Sequence, residues 1–194
     1  MNIPAFLSYS VIMTMTPGPN NLVCLYLGAK GGFRAFWQFC IGSMGGLCAK
    51  CILCGFLNLL LAEKIPALVP YLKWLGALYM LYLAFNMVRS SIKNTDDKAG
   101  DSEGTVRDGI LLQVLNIKSW VAALSLFSVY VIPYTVAPGA ILLSSLAFAA
   151  MGTVASTLWC AFGTAIQSLY RRFRLPVSIA LAATLVLCAW SAVK

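Results

Sequence analysis

Two prolines interrupt the first long apolar stretch of this chain, within the run T-P-G-P-N-N at residues 16–21. Because proline has no N–H, Pro17 and Pro19 leave the carbonyls four residues earlier, those of Met13 and Met15, without helical partners. In lipid, each unpaired backbone group costs several kcal/mol unless protein or water satisfies it. The run therefore predicts a helix that is broken inside a membrane and lines a cavity, as in many transporters of small solutes.

The composition places the chain among membrane proteins. It is 60% hydrophobic and only 10% charged, whereas soluble domains carry about 25% charged residues. Six apolar stretches are each close to the ~20 residues that cross a bilayer. They lie at about 5–28, 36–62, 67–88, 109–132, 139–166 and 176–193. We predict an all-α integral membrane protein with six transmembrane helices in one domain, residues 1–194. We expect neither an enzyme nor a cofactor, because no soluble domain fits between the stretches.

The positive charge is concentrated on one set of loops. Nine basic residues lie in the first, third and fifth loops: Lys30, Arg34, Arg89, Lys93, Lys98, Arg107, Arg171, Arg172 and Arg174. Only Lys64, Lys73 and Lys194 lie on the other side. This asymmetry predicts that the odd loops are cytoplasmic and that both termini are outside. It does not indicate a nucleic-acid partner, since the charges form no basic groove.

A polar stretch divides the chain into halves. We predict a linker at about 90–108, between a first repeat at about 1–89 and a second at about 109–194. Three spans in each half invert the second half relative to the first, as in inverted-repeat transporters. The fourth span has its own polar interruption at residues 113–119. Pro17 lies about 12 residues (~18 Å) into its span and Asn116 about 7 into its own, so we predict that the two interruptions meet.

Polar side chains at these interruptions are the candidate substrate ligands. An ionised Lys118 inside the fourth span costs ~2.5–3.5 kcal/mol, so it either holds a substrate carboxylate or snorkels to the surface. Asn20, Asn21 and Asn116 offer donors and acceptors for the substrate or for the broken backbone. The helix that starts near Asn20 favours a carboxylate at its positive end. The predicted substrate-binding residues are Thr16, Pro17, Gly18, Pro19, Asn20, Asn21, Gln113, Asn116 and Lys118.

A second intramembrane lysine lies among cysteines. Lys50 is a candidate proton or charge site, or an ammonium in a water-filled cavity with no specific role. The chain has no histidine, and the predicted spans contain no Asp or Glu, so the usual carboxylate relay cannot be assigned. Cys48, Cys51 and Cys54 form C-x2-C-x2-C around Lys50. On a helix in apolar surroundings this pattern favours packing over redox or metal chemistry, and we predict no metal site.

These motifs resemble those of the LysE/RhtB family of bacterial amino-acid exporters, and the resemblance covers the full chain. They are T-P-G-P at 16–19 followed by Asn20, G-F-R at 32–34, the glycine-rich second span, and L-N-x-K at 115–118. The two asparagines and Ile117 resemble the cysteine/O-acetylserine exporter branch. Many relatives have proline at the Ile117 position, so we expect a milder second break. We also expect an apolar residue at the Lys50 position in most relatives.

The resemblance implies an exporter in the bacterial inner (plasma) membrane that moves small neutral amino acids out of the cytoplasm, driven by the proton motive force. Its partners would be the amino acid and the lipid bilayer. Glycine-rich faces in the second and fifth spans pack within one molecule or between two, which leaves a homo-oligomer open.

Three other functions are alternatives. A transmembrane thiol–disulfide electron carrier needs cysteines in its first and fourth spans, and residues 109–132 contain none. A metal-ion exporter needs Asp or Glu oxygens for hard cations, and the spans lack them. A channel remains a third alternative.

Overall fold

The computed structural model describes residues 2–92 and 104–193, which form helices and no strand. The helices are α1 (Ile3–Met15), α2 (Pro19–Phe56), α3 (Asn58–Ile92), α4 (Val106–Leu115), α5 (Ile117–Ser125), α6 (Pro138–Ala165), α7 (Gln167–Arg172) and α8 (Arg174–Val193). A π-helical segment, Leu126–Val131, continues α5. The predicted all-α class is therefore confirmed.

Helix α2 reverses direction at a single glycine. Gly32 has φ 65° and ψ −158°, a backbone conformation that essentially only glycine adopts and that costs other residues about 1–3 kcal/mol. The Ser43 hydroxyl donates to Asn20 Oδ1 over 2.8 Å, although 23 residues of straight helix would separate the two by about 35 Å. Residues 19–31 and 33–56 are thus two antiparallel limbs. The first limb and α1 fall in the first predicted span, and the second limb falls in the second.

Several helices have the length and composition of membrane spans. Pro19–Phe56, Pro138–Ala165 and Arg174–Ser191 are long and apolar enough to cross a bilayer. Val106–Leu115 and Ile117–Val131 pass the same criterion together, as one span bent by 66°. These features support a membrane protein, whereas six crossings and an inverted repeat stay predictions.

The second predicted span runs past the end of its helix, and α3 contains the whole of the third predicted span. The second limb of α2 ends at Phe56 rather than at residue 62, and Leu57 leaves helical geometry at φ −107° and ψ 27°. Helix α3 begins at Asn58, nine residues before the predicted third span. The break lies inside a largely apolar run interrupted only by Asn58, so hydropathy alone does not mark it.

Both helices that flank the predicted linker extend into it. Helix α3 continues to Ile92, and α4 begins at Val106 because Thr105 and Asp108 form a capping box. In this box Asp108 N donates to Thr105 Oγ1, and Thr105 N donates to Asp108 Oδ2, each over 3.1 Å. The rest of the predicted linker, residues 93–103, lies outside the described residues.

Glycines allow α2 to pack closely on α4 and α6. A Cβ on Gly42 would lie 2.0 Å from Val106 O, and one on Gly28 would lie 2.2 Å from Cys160 O. A Cβ on Gly163 would lie 2.1 Å from Leu25 O. The glycine-rich faces of the second and fifth predicted spans therefore make contacts within the molecule.

Several of the predicted cytoplasmic loops lie together at one end of the bundle. Gly104 N donates to Ala35 O over 2.9 Å, which joins the start of α4 to the turn in α2. Tyr26 OH hydrogen-bonds Ser90 Oγ at 2.6 Å, which adds the end of α3. The described basic residues of these loops belong to this end: Lys30, Arg34, Arg89, Arg107, Arg171, Arg172 and Arg174. Lys93 and Lys98 lie outside the described residues.

Candidate functional site

The two helix breaks are in direct contact. The first separates α1 from α2 at residues 16–18, and the second separates α4 from α5 at Asn116. The Lys118 ammonium donates to Thr16 O over 2.6 Å and to Pro17 O over 3.4 Å. A Cβ on Gly18 would lie 3.2 Å from Lys118 Cδ. Lys118, from the second break, thus binds the backbone of the first.

Two further carbonyls at the first break, those of Thr14 and Met15, also have side-chain donors. Asn21 Nδ2 donates to Thr14 O over 2.9 Å and to Thr16 O over 3.0 Å. Trp159 Nε1, from α6, donates to Met15 O over 3.3 Å. Met15 is one of the two residues whose carbonyl a proline deprives of its helical donor. Side chains from α2, α5 and α6 thus stabilise the break.

The second break is sharp although it contains no proline. The helices on either side differ in direction by 66°, and whether a relative with proline at this position bends more stays a prediction. Lys50 Nζ donates to Gln113 O, and Trp120 Nε1 donates to Val114 O over 2.8 Å. These two carbonyls would otherwise accept hydrogen bonds from residues 117 and 118 of a continuous helix.

A cavity of about 60 Å³ lies at the junction of the breaks. Its size corresponds to about four water-sized positions. Six of the nine predicted substrate-binding residues line it, namely Gly18, Asn20, Asn21, Gln113, Asn116 and Lys118. The other three do not: the exposed Thr16 side chain donates to Ile12 O, and Pro17 and Pro19 line a neighbouring cavity. Thr16 therefore contributes its carbonyl to the break rather than a side chain to the cavity.

Asn20 is the centre of a hydrogen-bond network in the cavity wall. Its Nδ2 donates to Ser156 Oγ over 2.9 Å, and its Oδ1 accepts from Ser43 Oγ over 2.8 Å. Gln113 Nε2 donates to Ser43 Oγ over 2.9 Å and to Asn20 Oδ1 over 3.4 Å. The network joins both limbs of α2 to α4 and α6.

This network leaves one acceptor unused. Ser43 gives its hydroxyl hydrogen to Asn20, so it must accept from Gln113, and the amide nitrogen of Gln113 therefore faces Ser43. Gln113 Oε1 then has no hydrogen-bond partner within the described part of the chain, although Gln113 is only 3% exposed. A buried acceptor without a donor costs about 1–3 kcal/mol. A bound ligand with an N–H group would remove this cost.

The charged groups around the cavity favour an anion at one side. Among the described residues that line it, Lys118 is the one ionisable cation, and none is Asp or Glu. The first turn of α2 begins at this cavity, at Gly18 and Pro19, and carries the positive end of the helix dipole. The site therefore combines an ammonium and a helix N-terminus with the free acceptor of Gln113.

Lys50 lies next to the cavity but not in its wall. It is 4% exposed and donates to Ser119 Oγ as well as to Gln113 O. Its ammonium also lies over the Trp120 ring, 4.9 Å from the centroid. These contacts of Lys50 are all with residues at or beside the second break.

A second cavity of about 380 Å³ lies on the other side of the breaks, between α3, α4 and α8. Most of its lining is apolar, with Leu112, Leu115 and Leu187 among its residues. Gly18, Asn116 and Lys118 line both cavities and therefore form the partition between them.

The cysteines around Lys50 lie in apolar surroundings. Cys51 and Cys54 are fully buried in a cluster that includes Phe6 and Phe127. All seven cysteines are free thiols. No group of three or more His, Cys, Asp or Glu residues within 2–92 and 104–193 is placed to hold a metal ion.

Four residues of the site were not identified from the sequence. Ser43 and Ser156 resembled the small packing residues around them, although a serine beside glycines in a membrane helix is also a hydrogen-bonding signal. Trp159 binds a carbonyl of the first break from α6, 144 residues further along the chain. Trp120 binds a carbonyl of the second break from the next helix, α5. No local pattern marks an indole as the donor to a broken helix.

Comparison with known proteins identifies relatives along nearly the whole chain. The family described as LysE type translocator matches residues 11–191. The chain is 32% identical over 187 residues to proteins named cysteine/O-acetylserine efflux protein from Escherichia coli strain K12, Escherichia coli O1:K1 and Shigella sonnei strain Ss046. These alignments cover 96% of this chain and 95% of each relative. No solved structure matches the chain significantly.

Proposed function

The chain belongs to the LysE type translocator family, and from that premise we propose that it exports small neutral amino acids, with cysteine and O-acetylserine as the first candidates. The family consists of transporters rather than enzymes. The two candidate substrates are those for which its relatives are named.

The observation that carries this proposal is the polar cavity at the junction of the two breaks. The substrate carboxylate would lie against the Lys118 ammonium and the N-terminus of α2. The substrate ammonium would donate to Gln113 Oε1, which lacks a partner within the described residues. The cavity volume of about 60 Å³ favours a small side chain.

The same site suggests how export proceeds. We propose that six spans form two inverted repeats, at about 1–89 and 109–194, which rock around the junction and expose it to each side in turn. Gly18, Asn116 and Lys118 separate the two cavities, so their displacement would connect them. We place the protein in the bacterial inner membrane with both termini outside, because the described basic loops share one end and the positive-inside rule makes that end cytoplasmic.

Efflux from preloaded cells tests the proposal. Cells that express the protein, and cells with an empty vector, would be loaded with labelled cysteine, O-acetylserine, threonine, leucine, lysine or Mn²⁺. We expect faster loss of one or two neutral amino acids only in the expressing cells, and slower loss after the proton motive force is collapsed.

Each other outcome contradicts part of the proposal. Efflux of Mn²⁺ alone would favour the metal-ion exporter, and efflux of lysine alone would show that the cavity accepts a cationic side chain. No efflux of any amino acid from cells with verified membrane expression would refute amino-acid export.

A further inference from the structure

Lys50 donates to a carbonyl of the second break that would accept from a backbone N–H in a continuous helix. In a continuous α-helix the N–H of Ile117 would donate to the carbonyl of Gln113, four residues earlier. Lys50 Nζ donates to this same oxygen. We propose that Lys50 is a positioning residue that keeps the second break open. Its ammonium satisfies the Gln113 carbonyl, which the break deprives of the Ile117 N–H, and so offsets the cost of leaving the helix open.

The surroundings of Lys50 fit this role. Its ammonium contacts Gln113 on the α4 side of the break, and Ser119 and the Trp120 ring on the α5 side. Ser119 Oγ in turn donates to Asn116 O over 2.8 Å, at the break itself. Charge-assisted hydrogen bonds and a desolvated cation–π contact are among the stronger polar interactions in proteins. One ammonium thereby connects the two helices across the bend.

The bend sets the geometry of the candidate site. Gln113 lies before the break and Lys118 after it, and both line the cavity. If the helix closed through residues 113–117, the direction of α5 relative to α4 would change by up to the 66° that now separates them. Lys118 would then lose its position beside Thr16 O and Pro17 O. Lys50 therefore acts on substrate binding through these two residues, without lining the cavity itself.

A proline at residue 117 would produce the same break by a different route, because it has no N–H to give to Gln113 O. The backbone already suits it. Ile117 is the first residue of α5, where proline is well tolerated. Asn116 has φ −85° and ψ 97°, outside the α region that a following proline disfavours. Ile117→Pro should therefore be compatible with the fold and should make Lys50 dispensable.

The test is a set of four proteins: wild type, Lys50→Met, Ile117→Pro and the double variant. One readout is export of the substrate identified by the efflux panel, which rests on the proposed function. The other is hydrogen–deuterium exchange of the peptide at residues 113–120 in purified protein, which is independent of what is transported. Lys73→Met is the matched control, since Lys73 lines neither cavity.

We expect Lys50→Met to lower export by about tenfold or more, the factor that ~1.4 kcal/mol of lost preorganisation produces. Amide exchange at 113–120 should slow, because the Ile117 N–H becomes hydrogen-bonded. Ile117→Pro alone should export like wild type, and the double variant should recover most of the export. Lys73→Met should change neither readout.

Failure of rescue overturns the inference. If Lys50 carries a proton or contacts the substrate, proline at residue 117 cannot replace it, and the double variant will be as inactive as Lys50→Met. Normal export by Lys50→Met, or unchanged exchange at 113–120, also overturns it. If Lys50→Met does not accumulate in the membrane, the double variant decides: recovered accumulation supports the inference, and no recovery contradicts it. If wild type exports no amino acid, only the proposed function fails, because the exchange experiment still stands.

Discussion

Replacing Gln113 by methionine should weaken substrate binding while the unliganded protein keeps close to its wild-type stability. The substitution removes two hydrogen bonds, from Nε2 to Ser43 Oγ at 2.9 Å and to Asn20 Oδ1 at 3.4 Å. Each contributes about 0.5–1.5 kcal/mol. It also removes Oε1, a buried acceptor with no partner within the described residues, whose burial costs about 1–3 kcal/mol. These changes oppose each other, so we expect a net change of about 1 kcal/mol or less.

Substrate binding has no such compensation. A hydrogen bond between Gln113 Oε1 and a charged ammonium contributes about 1.5–3 kcal/mol, which corresponds to a loss of about 10–150-fold in affinity. In the free protein the unpaired Gln113 Oε1 lowers stability, and in the complex it accepts a hydrogen bond from the substrate. Loss of affinity without loss of stability is therefore the signature of this role.

Unfolding of the purified protein with and without substrate measures both quantities. At a substrate concentration of about 100 times the wild-type Kd, binding stabilises the wild type by about 2.7 kcal/mol. A variant with roughly 30-fold weaker affinity would gain only about 0.9 kcal/mol. Gln38→Met is the matched control, since Gln38 is exposed on α2 and should keep the wild-type response. Full substrate stabilisation of Gln113→Met, or a fold already lost without substrate, would refute the reasoning.

Two further substitutions test the breaks and the packing. Replacing Pro17 and Pro19 by alanine restores two N–H donors, so the first helix should close and export should fall, as measured in matched-expression efflux; wild-type flux would contradict the broken-helix argument. Gly28→Ala should destabilise the protein by about 1–3 kcal/mol, because a Cβ there would lie 2.2 Å from a backbone oxygen of Cys160. Gly45→Ala is its control, with no atom within 4 Å of the new Cβ, and equal unfolding midpoints for the two would show that α2 and α6 are less closely packed.

The position of the first break could be predicted because its cause is local. Pro17 and Pro19 remove N–H groups wherever the chain folds, so the sequence alone identifies residues 16–18 as non-helical. The meeting of the two breaks followed from counting depth in two spans that enter from opposite sides. The contact between Lys118 and Thr16 O agrees with that count.

The sharpness of the second break could not be predicted in the same way. Nothing in the sequence near Ile117 prevents a continuous helix. The side chain that donates to the Gln113 carbonyl at the break is Lys50, which is 63 residues away in the chain. The sequence marked Lys50 as unusual because an intramembrane charge is costly. What an ammonium binds depends on how α2 packs on α4, which a single sequence does not state.

Side-chain roles were harder to predict than positions. Thr16 is one of the predicted substrate-binding residues, yet its hydroxyl bonds back to Ile12 O, and its carbonyl accepts from Lys118. Ser43 and Ser156 lie on helix faces that also carry glycines, and that pattern indicates packing. Their hydrogen bonds to Asn20 depend on the reversal at Gly32 and on α6.

Counterflow in proteoliposomes tests most directly the claim that the substrate binds at the junction of the breaks. Vesicles that contain wild-type protein or Lys118→Met would be loaded with unlabelled O-acetylserine and supplied outside with the labelled compound. Competition by cysteine and by cysteamine, which lacks the carboxylate, would be compared. The account predicts counterflow by wild type that cysteine inhibits far better than cysteamine. It predicts that Lys118→Met has lost most of the counterflow, and that any residual flux no longer shows this preference for cysteine. Undiminished counterflow by Lys118→Met, with the same preference for cysteine, would contradict it.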